Sequence, residues 1–521
     1  MTPTGDRMEQ SDHRSIQPFA LRLTVIFGAV CALGMARHEL WRDEMQIWML
    51  ARDSGSLLEL AQHLRYETGH PFLWYLLLFG VSRVTRSPLA LQVVHWTIAI
   101  ASVYVLARFA PFSRLQKSLF AFSYFALYEY GMISRNYGLG MLLLFGACVL
   151  VRQRQQRYWP IALLLFLACN TNFYALIGAG AIAFTLALEW IGRAWQSGDW
   201  RQQRWDALGS GAIVLAGIGL YWLQLYPPAD GGIRPEGVKA WDFGALVSAI
   251  ALIWKSYVPI PWFTLNFWNT NWVAEGDAAL LAIALVIGAI AVLIRTPLAL
   301  VLYGTGTGAI VLIALLKHGG GVRHWGYAFV LWVVSLWLAP EFPTTTRKLP
   351  RFWTRLHGWL TQRRGIFFTG ILILQVAAGL FAYGMDWVFP FSQAQATAQI
   401  LQQRGLTQTT LIGDRDWAAL TVSGWLDQPL FYPASEDTGT FIVWNNQRRD
   451  RSIPELMSLI SQKLATDPRP LVLVLNYPLT AADQALLPVP LQELATVTGA
   501  IVADENYWLY QVSPRVPSGQ F

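Results

Sequence analysis

Asp43 and Glu44 stand side by side in WRDEMQIW, just after an apolar run from Val25 to Ala36. A carboxylate beside apolar segments is partly desolvated, which raises its basicity and suits a general base. Asp43 is the candidate base, and Glu44 the carboxylate that orients an acceptor or a divalent metal ion. The plainer alternative is that both residues end the first apolar helix in water, with Arg42 neutralising them. His70, in TGHPFLWYLLL, is a candidate contact to an acceptor or metal in the pocket of Asp43. Its alternative is helix capping or an interfacial position beside Pro71, which opens a helix at a first-turn position.

Two basic clusters follow. SRNYGLGMLLL puts Arg135 and Tyr137 where an apolar segment begins. Arginine is permanently charged and forked, so it reads phosphate well. At a membrane edge it also serves as an anchor with a buried stem. LKHGGGVRHWGY offers Lys317, His318, Arg323 and His324 around three glycines, where backbone can approach an anion closely. A plain turn is the alternative there. GTGTG, at 304–308, follows no strand and reads as helix packing, not a nucleotide loop.

The elements that must position these residues are membrane helices. Of the 521 residues, 54% are hydrophobic and 14% charged, where a soluble protein carries about a quarter charged. Mean hydropathy is +0.36, and apolar runs long enough to cross a bilayer recur between residues 20 and 389. The run 159–190 is broken by Asn170-Thr171-Asn172 and reads as two helices. The run 71–84 is short of the roughly 20 residues that a span needs. If it crossed, the Arg-rich loops 152–157 and 347–364 would fall outside. If it lies in the interface, these loops join 108–117, 193–204 and Arg295 on the inner side, as the positive-inside rule requires.

That choice predicts about eleven spans, N-terminus inside and C-terminus outside. An outer loop, 39–87, then carries interfacial helices, a second outer loop runs over 227–276, and the unusual polar residues share the outer face. The net charge of +7 is thus a matter of topology and not a nucleic-acid signature. Cys31, Cys148 and Cys169 all lie in apolar segments, so no disulfide framework is implied. The first apolar segment reads as a retained span, because the chain goes on crossing the membrane.

Near Ser392 the composition changes. Residues 1–389 read as the membrane domain and 390–521 as a small α/β domain on the outer face. In the latter, AQATAQILQQRG and PELMSLISQKLA have helical patterns; TTLIG, FIVW (441–444) and LVLVLN read as strands. No internal repeat suggests a transporter built from two related halves.

RDE after the first span, HP opening an interfacial helix, R-x-Y at an outer helix mouth and a late outer Arg-His resemble, in order and common face, the GT-C glycosyltransferases. The nearest group is that of protein O-mannosyltransferases and aminoarabinose transferases. The resemblance covers the layout from residue 20 to about 340. It departs at Phe72, where many relatives have a second proline, and at Asn136, where some have an acidic residue.

The resemblance implies an integral enzyme of a bacterial inner membrane, acting on the periplasmic face. It would move a sugar from a polyprenyl-phosphate donor to a hydroxyl of a lipid, glycan or protein, with inversion. Asp43 would be the base, Glu44 the acceptor-orienting or metal-linked carboxylate, and Arg135 and Tyr137 neighbours of the donor phosphate. Lys317, Arg323 and His324 would complete a cationic pocket for the leaving phosphate. The competing reading, a transporter or lipid flippase, needs polar residues within spans in both halves of the bilayer.

Overall fold

The structure, a computed structural model, describes residues 4–67, 70–201, 203–232, 242–317 and 319–514, with backbone alone for 4–15 and Arg364. The chain begins with α1 (Thr4–Met35), α2 (Arg42–Asp53), α3 (Leu57–Leu64), α4 (Phe72–Ser82), α5 (Leu89–Phe109) and α6 (Arg114–Ala121). A π-helix (Tyr124–Met132) follows, then α7 (Tyr137–Leu150), α8 (Trp159–Cys169), α9 (Phe173–Ser197), α10 (Arg204–Leu225) and α11 (Phe243–Tyr257). The remaining long helices are α12 (Glu275–Leu293), α13 (Pro297–Leu316), α14 (Val322–Leu338) and α15 (Arg351–Val388).

Among the described residues, 8 helices are long and apolar enough to cross a membrane. The pair Arg114–Met132 and Tyr137–Gln153 would make up to 9, but it is bent by 120° at the break between its halves. The sequence predicts about eleven spans; the difference lies in this bent pair and in α8, whose segments are individually short. The turn at 170–172 is as expected, with the Asn172 side chain accepting from Ala175 N–H to cap α9. Helix α11 lies where the sequence reads as a loop. Its 15 residues fall short of a span, yet it packs along α12 and α14, with Asp242 as its cap. GTGTG lies inside α13, and a side chain at Gly306 would meet Leu331.

Helix α4 has 11 residues, about 16 Å at 1.5 Å per residue, too short to cross. Pro71 is its N-cap, one position earlier than the sequence pattern suggests. At its start, Phe72 N–H donates to Gln224 and Leu73 N–H to the Asn170 carbonyl. At its end, Arg83 donates to the carbonyls of Ala51 and Arg52 on α2. Both ends therefore lie on one face of the molecule.

The Arg-rich loops gather on the opposite face. There Arg152 pairs with Glu341, Arg154 with Glu189, and Arg295 donates to the Thr345 and Arg347 carbonyls. Helix α14 joins the two faces, running from Arg323 at one to the neighbourhood of Glu341 at the other.

The C-terminal unit contains α16 (Ala394–Gln403), β1 (Thr410–Gly413), α17 (Asp416–Leu426), β2 (Leu430–Tyr432) and β3 (Asp437–Gly439). It continues with α18 (Ile453–Thr466), β4 (Leu471–Leu475), α19 (Ala481–Gln484), β5 (Leu491–Val497) and β6 (Tyr507–Val512). The sheet order is β3-β2-β1-β4-β6-β5, with β1 parallel to β2 and β4 and the other pairs antiparallel. The short apolar strand β4 is central and wholly buried.

The strand expected at 441–444 is not one. Ile442 N–H donates to the Gln46 side chain at 3.0 Å, and its carbonyl accepts from the same side chain at 2.8 Å. These bonds take the place of a neighbouring strand and tie the segment to α2. Helix α17 also packs on α2, so closely that a β-carbon at Gly424 would collide with Met45. Met45, Trp48 and Trp74 share one apolar core with Ala418, Leu420 and Val422. The unit is thus seated on the segment that carries Asp43.

Candidate functional site

Helix α2 begins at Arg42 because Trp41 is extended and the Glu44 carboxylate returns to accept the Trp41 N–H at 3.3 Å. Glu44 is wholly buried. It also accepts from Ser134 N–H and meets His38 Nε2 at 3.2 Å. His38 Nδ1 in turn meets Asp386 at 2.7 Å. Burial opposes a charge on His38, but the carboxylates of Asp386 and Glu44 at its two ring nitrogens push its pKa well above the usual value. Glu44 therefore faces a buried network and does not line the cavity described below.

Asp43 points the other way. Its carboxylate lies 2.5 Å from Arg135 and 3.1 Å from Arg323, with 28% of the side chain exposed. Burial alone would raise its pKa. The cations of Arg135, Arg323 and Arg42 outweigh burial and hold the carboxyl far below the usual range. Two adjacent carboxylates thus hold two adjacent residues: Glu44 grips the main chain of Ser134, and Asp43 the side chain of Arg135. The second grip sets the guanidinium at the bend between the π-helix and α7.

The sequence candidates divide accordingly. Arg135 also donates to His70 Nε2 at 3.2 Å. Burial, reinforced by Arg135, pushes His70 down to about 3, so its ring is neutral at ordinary pH. Arg323 is held between the rings of Trp41 and Trp268, 5.6 Å from each centroid. Tyr137 is an electrostatic neighbour of Arg323 and Arg135. His324 Nδ1 accepts from Gly321 N–H at 2.9 Å, and its ring stacks on Tyr174. Lys317, at the end of α13, does not line the cavity. His318 lies outside the described residues.

A cavity of about 370 Å³ opens beside Asp43. Asp43, His70 and Arg135 line one side; Gln46 and Glu67 line it next to Trp444 and Trp417, contributed by the C-terminal unit. Glu67 is 9% exposed and accepts from Gln46 Nε2 at 2.7 Å. Burial pushes its carboxyl up to about 7, against the hydrogen bond from Gln46. Arg42 closes the rim through Asp504 at 2.8 Å and by stacking on Trp417 at 4.6 Å.

Glu67, Trp417 and Trp444 are absent from the sequence candidates. Glu67 stands three residues before His70, and its burial is a property of the fold that the sequence does not display. The tryptophans had no signal, since only the fold brings them near residue 43.

No group of three or more His, Cys, Asp or Glu side chains among the described residues could hold a metal ion. The Asp43 carboxylate and the His70 imidazole already face Arg135, Asp504 pairs with Arg42, and Glu67 accepts from Gln46. That cationic surrounding does not fit a divalent ion, whose ligands are anionic or neutral donors. The arrangement suits an anion at the arginines and a hydroxyl compound beside Glu67.

No family model and no curated protein matches the sequence. Among solved structures, that of ArnT from Cupriavidus metallidurans bound to undecaprenyl phosphate matches at 12% identity and a TM-score of 0.53, over 95% of this chain and 99% of that one. The apo structure of the same protein matches at 12% identity and a TM-score of 0.48, over 94% and 97% of the two chains. The first likeness establishes the fold alone: an ArnT-like arrangement of membrane helices with a C-terminal sheet unit, over nearly the whole chain.

Proposed function

We propose that this protein is an integral membrane glycosyltransferase that moves a sugar from a polyprenyl-phosphate donor to an acceptor hydroxyl. The observation that carries the reading is the convergence of Arg135 and Arg323, from distant parts of the chain, on the Asp43 carboxylate that lines the cavity. Two forked cations beside a membrane-embedded helix bundle make a receptor for a lipid phosphate. The structural neighbour bound to undecaprenyl phosphate supports a donor of that class. Arg-rich loops on the opposite face support a site outside the cytoplasm, on the outer side of a bacterial inner membrane. Residues 390–521 are read as a separate domain that closes the site.

In this mechanism the donor phosphate displaces Asp43 from Arg135 and Arg323, with Tyr137 beside them. Asp43 holds the guanidiniums in register until then. The acceptor oxygen attacks the anomeric carbon from the side away from the phosphate, the bond from that carbon to the phosphate oxygen breaks, and the sugar is inverted. The leaving phosphate is stabilised by two fixed cations and needs no strong general acid. A carboxylate removes the acceptor proton. Asp43, the sequence candidate, is a weak base while two arginines hold it, and regains basicity only as the phosphate draws them away.

The test is incubation of the purified protein with a panel of undecaprenyl-phosphate sugars and a membrane extract as acceptor source. One donor should lose its sugar and leave bare undecaprenyl phosphate. Folded protein that consumes none of them would contradict the reading.

A further inference from the structure

The cavity holds a second carboxylate in a different electrostatic setting from Asp43. Glu67 stands three residues before His70 and lines the same space as Asp43, Arg135 and His70. Its oxygen accepts from Gln46 at 2.7 Å, and Gln46 is fixed by its two bonds to the Ile442 main chain. Among the described residues no salt bridge reaches Glu67; its hydrogen-bond partners are the uncharged side chains of Gln46 and Trp444.

Resting on the transferase reading above, we propose that Glu67 is the catalytic base that accepts the proton of the acceptor hydroxyl. The groups facing it are Asp43 and Gln46 from α2, His70 and Tyr75 from around α4, Arg135 from the bend before α7, and Trp444 from the C-terminal unit. Of these, Asp43 raises its proton affinity, while Arg135 and the hydrogen bonds lower it; burial outweighs them. A base that titrates near working pH combines an available anionic form with real proton affinity. Two carboxyls in one cavity, pushed apart by their surroundings, mark a division of labour.

The step balances within the site. The acceptor O–H gives its proton to the Glu67 carboxylate, and the acceptor oxygen bonds to the anomeric carbon. The carbon–oxygen bond to phosphate breaks, and its electron pair leaves with the polyprenyl phosphate between Arg135 and Arg323. Glu67 then releases its proton to solvent through the open cavity. The C-terminal unit acquires a role here: Ile442, through Gln46, sets where the base stands.

The test uses full-length wild type, Glu67→Gln, Glu67→Asp and Asp43→Asn. The substrate is whichever undecaprenyl-phosphate sugar wild type consumes, with membrane extract as acceptor source. Each protein is also checked for fold by thermal unfolding and for undecaprenyl phosphate binding. Wild-type turnover should rise with pH through about 7 and level off. Glu67→Gln should bind undecaprenyl phosphate as wild type does, turn over about 10²–10⁴-fold more slowly, and lose the rising limb. Glu67→Asp should recover part of the rate, and Asp43→Asn should keep the limb.

Glu67→Gln turnover close to wild type, or a rising limb that survives there and disappears in Asp43→Asn, overturns the proposal and returns the role to Asp43. If both Glu67 variants lose undecaprenyl phosphate binding, Glu67 is structural and the proposal fails. Wild type that consumes no donor refutes the transferase reading, and this one with it.

Discussion

The two walls of the cavity are built on opposite principles. The wall nearer the membrane helices is made of charges: Asp43 and Arg135 line it, Arg323 meets the same carboxylate from outside the lining, and the buried Glu44–His38–Asp386 chain lies beside them. The wall completed by the C-terminal unit holds its carboxyl by uncharged contacts, Gln46 on the Ile442 main chain and Glu67 on Gln46; its charges lie at the rim, where Arg42 pairs with Asp504 and stacks on Trp417. Ion pairs hold the first in place and keep its exposed carboxylate unprotonated. Neutral hydrogen bonds leave the second with a carboxyl whose proton is easily exchanged. A carboxyl group serves as a counter-ion on one wall and, as proposed above, as the base on the other, and the neighbours decide which.

The largest effect expected is on the charged wall. Glu44→Ala leaves His38 with Asp386 alone and deprives the buried Ser134 and Trp41 N–H groups of their acceptor. Each buried donor left unsatisfied costs about 1–3 kcal/mol. Thermal unfolding should show a large loss of stability, along with loss of undecaprenyl phosphate binding through Arg135. A variant as stable as wild type would mean that this wall does not depend on its buried chain.

A smaller loss is expected from Arg135→Ala, because a charge-assisted contact contributes about 1.5–3 kcal/mol. Undecaprenyl phosphate should bind at least about tenfold more weakly. Arg135→Lys keeps the charge without the fork and should fall between. Equal affinity for the lysine and alanine variants would mean that the fork contributes nothing.

The neutral wall has its own signature in stability against pH. Glu67 has a folded pKa of about 7, against roughly 4.3 for an unperturbed glutamate. Below the unfolded value both states are protonated and the residue costs nothing. As pH rises towards 7 the unfolded state ionises first, so the folded state loses relative stability, and above 7 the cost is complete. Glu67→Gln should therefore be more stable than wild type at pH 8, and the gap should close by about pH 4.5. A gap that persists at low pH would place the cause in packing, not charge.

The smallest effect locates both walls relative to the membrane. Val84, just past α4, is 87% exposed, whereas Ser82 is buried and bonded to the Ala51 carbonyl. A cysteine at Val84 should react with an impermeant reagent from outside intact cells, and one at Gln155 should not. Outside labelling at Gln155 would put the Arg-rich face outward and both walls on the inner side.

The charged wall was the more legible of the two in the sequence. Asp43, His70, Arg135, Tyr137 and Arg323 announce themselves as polar residues at the edges of apolar segments, and the fold brings them together. Glu44 looked the same, but only the fold shows that it turns inward to Ser134. The neutral wall was hidden because its parts carry no unusual local pattern. FIVW has the composition of a strand, and its main chain finds Gln46 instead, some four hundred residues away. Helix α11 was missed because a short apolar run with polar flanks is as common in loops as in helices. The sheet order likewise follows from which strands find each other, which periodicity does not encode.

The central claim is that Arg135 and Arg323 are the grip on a lipid phosphate and that Asp43 occupies that grip when the lipid is absent. Its most direct test is the Kd of undecaprenyl phosphate for wild type, Arg135→Ala, Arg323→Ala and Asp43→Asn, at one fixed salt concentration and pH. Both alanine variants should bind about tenfold more weakly or worse. Asp43→Asn should bind more tightly than wild type, because it removes the competing anion. Alanine variants that bind like wild type, or an Asp43→Asn variant that binds more weakly, would contradict the account.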